Sequence, residues 1–253
     1  MLRLISISLI CGFACHSFSS ERIEVPLGQR KVTFERIESP VRKEGPLLIS
    51  LHSNESTSIR AAKSLLPSYA GTLILIEAGG QRRIPLRQGS TRVTIDPNRV
   101  FSLAGVTRDL KRFSIFSEAE AKQCAKFGED VIRVLGIDGS RPVIALHNNT
   151  NGGYSIDSYL EGGTEAAATA KVSRGPVDPD NFFLVTHPQL YAEFVKLDVN
   201  VVLQDNKNAP DDGSLSVYCG RRGIAYINVE AQHGAEAEQK KMLETALKLL
   251  GTR

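Results

Sequence analysis

Six short apolar runs recur along the chain, separated by stretches with helical spacing, and this alternation limits the possible folds more than any other feature. The runs are "PLLISLH" (46–52), "TLILIEA" (72–78), "PVIALH" (142–147), "FFLVT" (182–186), "NVVLQD" (200–205) and "IAYINVE" (224–230). At five to seven residues each, they suit strands buried on both faces. Helical spacing appears in "STSIRAAKSLL", "SEAEAKQCAKFGEDVIRVLG", "HPQLYAEFVKL" and "AEAEQKKMLETALKLLG". The second of these opens on Ser117 as an N-cap, with Glu120 at the capping-box position. Upstream, "RIEVPLGQRKVTFERI" alternates with period two around "LGQR" and predicts a hairpin or edge strands. The expectation is an α/β fold, a mostly parallel mixed sheet flanked by helices on both faces.

The first twenty residues, "MLRLISISLICGFACHSFSS", stand outside this pattern. One arginine, an apolar core from Leu4 to Cys15 and then small and polar residues follow the order of a secretion signal. The alternative is a buried N-terminal helix or strand. The chain therefore divides into a signal peptide, residues 1–20, and a single domain, residues 21–253, expected to be secreted or periplasmic. Neither Cys11 nor Cys15 follows a lipoprotein-type pattern, so lipid anchoring is a minor alternative. Cys124 and Cys219 remain, and the sequence admits either a disulfide or two free buried thiols. With 42% apolar and 23% charged residues the chain reads as a folded domain. No later segment approaches the ~20 apolar residues of a transmembrane helix. The formal charge is +3 with Lys and Arg spread along the chain, which gives no argument for nucleic acid.

Ligands of open α/β sheets gather beyond the carboxyl ends of the strands, so the residues ending the runs bear on function. The first run ends in His52, followed by Glu55; the third ends in His147; the last ends in Glu230. His52, Glu55 and His147 match in type and number the protein ligands of a catalytic zinc, whose remaining position takes water. Glu230 is the candidate for a carboxylate that is not a ligand and serves as general base.

A further motif lies in "TRVTIDPNRVF" (91–101), with Asp96, Asn98, Arg99 and Phe101 in the pattern D-x-N-R-x-F. In the order "HSNE", "DPNR", "LHNN" and "NVEAQHG", from about Leu47 to Gly234, the chain resembles the zinc carboxypeptidases related to carboxypeptidase A and their aspartoacylase-like relatives. The resemblance implies one Zn2+ per chain held by His52, Glu55 and His147, with Glu230 as general base and proton shuttle. It implies that Asn98 and Arg99 hold a substrate carboxylate, a role suited to a guanidinium fork. It places Arg92 as the oxyanion-stabilising arginine, with Arg82, Arg83 and Arg87 as competitors. The implied activity is a zinc-dependent amide hydrolase acting on a peptide, cell-wall peptides included, or on an N-acyl amino acid bearing a carboxylate. A binding module without turnover is the remaining class. "HNNTNGG" departs from the stretch usual after the third ligand, and Tyr154 and Tyr218 are the available substitutes for a capping tyrosine. The remaining polar features read as loops: His187, His233, "DNKNAPDDGS" with Asp211, Asp212 and Ser214 near a cleft, and "GRRG" with Arg221 and Arg222.

Overall fold

A computed structural model describes residues 19–42, 44–86 and 93–252. The expected signal peptide therefore lies outside the described residues except for Ser19 and Ser20, which open the first strand. In chain order the structure runs β1 (Ser19–Leu27), β2 (Arg30–Glu38), β3 (Leu47–Ser50), α1 (Ser56–Leu65), β4 (Thr72–Glu77), β5 (Ile84–Pro85) and β6 (Thr94–Ile95). It continues with α2 (Leu103–Phe113), α3 (Glu118–Leu135), β7 (Val143–Asn149), β8 (Thr169–Ser173), β9 (Phe182–Val185) and α4 (Pro188–Lys196). The chain closes with β10 (Val201–Gln204), α5 (Leu215–Arg221), β11 (Tyr226–Gln232) and α6 (Glu236–Leu249).

Nine strands form one sheet in the order β1-β2-β4-β3-β7-β11-β9-β10-β8, while β5 and β6 pair separately. The four central strands β4, β3, β7 and β11 run parallel. Their side chains are buried on both faces, which is why they read as continuous apolar runs. Leu47 and Ile49 of β3 join one core with α2, α3 and α5, whereas Leu48 joins another with α1, α4 and α6. Burial of each such Leu or Ile is worth roughly 1.5–3 kcal/mol. The expected hairpin forms, with β1 antiparallel to β2 and Gly28 at φ +61° in its turn. Ser117 caps α3 by accepting from the Glu120 backbone N–H.

The antiparallel part is where the sheet departs from simple alternation. β9 runs antiparallel to β11, and β8 antiparallel to β10. A short buried run looks the same in either direction, so its sense comes from the connection before it. From β3 the chain passes through α1 to β4 on one side, and then returns through α2 and α3 to β7 on the other. Right-handed crossovers in opposite directions place helices on opposite faces, as α1 and α3 are found. The reversal opens a crevice between the carboxyl ends of β3 and β7.

Candidate metal centre and cleft

Each member of the cluster is placed by its backbone. β3 ends at Ser50, and a tight turn, with the Glu55 N–H donating to the His52 carbonyl at 3.1 Å, carries the chain into α1. Glu55 stands at the N-cap of α1 but makes no side-chain cap; its carboxylate is directed instead at two histidines. The Ser58 N–H in the first turn of α1 donates to Asn148 Oδ1 at 3.0 Å, tying that turn to β7. His147 and Glu230 are in-register partners on the parallel neighbours β7 and β11. They therefore point to the same face, one strand spacing apart.

Ligating atoms of His52, Glu55 and His147 all lie within 4.8 Å of one another, and the three residues are buried. His147 Nδ1 lies 3.0 Å from Glu55 Oε2, and His52 Nδ1 lies 2.9 Å from Glu55 Oε1. The latter contact is close but outside hydrogen-bond geometry, so His52 Nδ1 is a buried ring nitrogen without a hydrogen-bond partner. On the other side of the ring, His52 Nε2 lies 2.8 Å from Asp96 Oδ1. That carboxylate also accepts from the Asn98 N–H at 2.8 Å, capping the 3-10 turn Pro97–Arg99. One aspartate thus fixes the imidazole and starts the turn that carries Asn98 and Arg99.

The electrostatics fit a cation. Burial alone would lower the pKa of His52, but the Glu55 and Asp96 carboxylates outweigh it and push it up to about 9. Burial likewise works to raise Glu55, and the two histidines reverse this and hold it well below the usual carboxylate range. Two imidazoles and a carboxylate converging on one buried point, with a nitrogen left unpartnered, are a donor set suited to a divalent transition metal. A metal there would replace the proton that now holds the set together.

Glu55, His147 and Glu230 lie on the wall of a cavity of about 680 Å³, together with Asn98, Arg99 and Arg82; His52 sits behind them. Glu230 is buried and accepts from Asn228 Nδ2 at 3.2 Å. Burial first, and the nearby Glu55 second, push its pKa up to about 8. Asn98 Oδ1 accepts from the Leu215 N–H at 2.9 Å, and the residue lines the cavity. Arg99 Nη1 donates to the Asn98 carbonyl at 2.7 Å and lies 3.6 Å from Asp212 Oδ2. Gly105 and Gly213 let α2 and the Asp212 loop meet closely enough for this. A Cβ on Gly105 would stand 2.2 Å from Gly213 Cα, and one on Gly213, at φ +76°, 2.5 Å from the Arg99 carbonyl oxygen.

Among the arginines, Arg92 and Arg87 lie outside the described residues. Arg82 Nη1 donates to Glu55 Oε1 at 2.9 Å, whereas Arg83 is held by Asp109 at 2.6 Å. Tyr154 lines the cavity, its hydroxyl bonded to that of Tyr159, while Tyr218 packs on Phe101 and under Arg222. Asp212 and Ser214 border the cavity. Arg221 pairs with Asp211 at 2.8 Å, and the other two histidines among the described residues tie loops, His233 to the Asn54 carbonyl and His187 to that of Gly223. Both Cys124 and Cys219 are free and buried. Sequence reasoning gave no role to Asp96, although the aspartate of "DPNR" carried the signal, and Glu165 on the cavity wall had none to offer. Among the described residues, no helix is long and apolar enough to cross a membrane.

No model of a protein family matches the sequence, and no curated protein does. Solved structures with a similar course of the chain include a succinylglutamate desuccinylase/aspartoacylase from Rhodobacter sphaeroides. It is 14% identical, with 97% of this chain and 69% of that one covered, at a TM-score of 0.46. An aspartoacylase family protein from Mesorhizobium loti is 16% identical over 93% of this chain and 67% of that one, at 0.47. A murein-tripeptide amidase from Escherichia coli O157 is 15% identical over 92% of each chain, at 0.48. The functional reading rests on the side chains themselves.

Proposed function

We propose that this protein is a zinc-dependent amide hydrolase of the carboxypeptidase type, cleaving a peptide bond next to a free carboxylate. The observation that supports this most is the convergence of Glu55, His147 and Glu230, from three separate segments of the chain, on one cavity that Asn98 and Arg99 also line, with His52 directly behind Glu55 and His147. His52, Glu55 and His147 would hold the ion, with Asp96 fixing the His52 ring. Zinc bound there supplies a Lewis acid for the scissile carbonyl and lowers the pKa of water.

The chain's own groups supply the rest. Glu230, beside His147, is placed to take a proton from the attacking water and deliver it to the leaving amine. The cation's charge would draw its pKa down from about 8 toward the range of a base at neutral pH. Arg99 and the Asn98 Nδ2 donors would hold the substrate carboxylate, the guanidinium by parallel hydrogen bonds. Arg82, which lines the cavity beside Glu55, or Arg92 would polarise the carbonyl. We assign residues 21–253 to one catalytic domain and residues 1–20 to a signal that exports it, so its substrates would be extracellular or periplasmic peptides. Purified protein assayed with N-acyl dipeptides should release the carboxyl-terminal amino acid, and Glu230→Gln should retain zinc while losing turnover. Unchanged turnover in that variant would remove the assigned base.

A further inference from the structure

On β7, Ile144 and Leu146 point into the core shared with α1 and α6, and the period-two alternation of a strand gives the next place on that face to Asn148. This is the residue after His147, in the "HNNTNGG" stretch where the sequence departs from the expected pattern. Its partner Gln239 lies on the buried side of α6 with Met242, Leu243 and Ala246, and both amides are buried. Buried amides are unfavourable unless bonded, and here each of the four polar atoms is. Asn148 Oδ1 accepts from the Ser58 N–H at 3.0 Å, and its Nδ2 donates to Gln239 Oε1 at 3.0 Å and to the Ala231 carbonyl at 3.2 Å. Gln239 Nε2 donates to the Val229 carbonyl at 3.3 Å. Because a backbone N–H only donates and a carbonyl only accepts, both amides have one orientation.

The bond to Ser58 bears on Glu55. The start of a helix leaves N–H groups without partners and carries partial positive charge, which an N-cap side chain ordinarily answers by accepting from the second or third residue. Glu55 is the N-cap of α1 and makes no such bond, because its carboxylate faces His52 and His147. Ser58 is the third residue of the helix, and Asn148 accepts from it across the sheet instead. The same amide holds β11 on both sides of Glu230, at Ala231 directly and at Val229 through Gln239.

We propose that Asn148, oriented by Gln239, is a positioning residue that caps α1 in place of Glu55 and so leaves the Glu55 carboxylate free for the metal. This rests on the metal-centre part of the proposed function and adds a residue that acts on it through another. The test is zinc affinity, by competition with a chromophoric chelator, together with the visible spectrum of cobalt-loaded protein, which reports ligand geometry. Asn148→Ala, shown to be folded by circular dichroism, should bind zinc about 10–100-fold more weakly than the parent. Its cobalt bands should shift, because α1 then draws Glu55 toward its own N–H groups. Gln239→Leu keeps the volume on α6 but frees the Asn148 amide to rotate, and should move both readouts the same way by less. A folded Asn148→Ala protein with the affinity and spectrum of the parent overturns the assignment, since lost packing alone lowers stability and leaves the folded site as it was. Should that variant not fold, Gln239→Leu decides in its place, and parent-like affinity and spectrum overturn the assignment. A parent that takes up zinc but cleaves no amide removes the hydrolase reading and leaves the variant comparison standing, whereas a parent that takes up no metal removes both.

Discussion

The candidate metal cluster and the part of the cavity wall that carries Asn98 and Arg99 are built in different ways. His147 and Glu230 sit in register on adjacent central strands, and His52 and Glu55 follow the strand beside them, so the sheet fixes their positions. Asp212 and Arg99 instead stand on a loop and a 3-10 turn, held by the Gly105–Gly213 approach and by the Asn98 bond to Leu215. The centre proposed to perform chemistry is thus carried by the core, whereas the groups proposed to bind a substrate are carried by segments able to change without disturbing it.

Variants can separate the two regions. The largest effect is expected at the centre: Glu230→Gln should lower kcat by roughly 10²–10⁴ with zinc content unchanged, measured by steady-state kinetics beside metal analysis. On the wall, Arg99→Lys keeps the charge but loses the fork. It should raise KM far more than it lowers kcat, by about 1.5–3 kcal/mol of binding. Gly213→Ala meets both a positive φ and the Arg99 carbonyl. It should destabilise the fold by roughly 1–3 kcal/mol in denaturant titrations and raise KM, leaving metal affinity intact. An equal loss of metal in that variant would break the distinction between the regions.

A smaller effect concerns pH. In metal-free protein His52 is raised from 6.5 to about 9, so its stabilising contribution is full below 6.5 and fades as pH rises through 9. Glu230 is raised from 4.5 to about 8, so ionising it in the folded state becomes an added cost over that interval. Both signs agree: the thermal midpoint of metal-free protein should fall as pH rises from about 6.5 to 9, and Glu230→Gln should flatten part of the slope. A flat profile in the parent would show that neither group titrates as its surroundings require.

The same division explains what could be read from the sequence. The strands were legible as buried runs near the rim where ligands gather, but not their ends: β3 stops at Ser50, two residues before His52, and β7 and β11 continue to Asn149 and Gln232, past His147 and Glu230, because both strands stay paired there. Helices α2 and α5 were not, since Gly105 and Gly220 interrupt their patterns for reasons of close packing visible only in three dimensions. Arg82 could not be chosen over its neighbours, because its contact with Glu55 depends on how a loop folds back over the strand ends. Glu165 gave no local signal at all.

Metal content tests the central claim most directly. Protein purified, stripped and reloaded with zinc should hold about one equivalent per chain, and His147→Ala should hold far less under the same conditions. A folded parent chain that takes up no zinc, or a His147→Ala variant that binds it as tightly as the parent, would contradict the account.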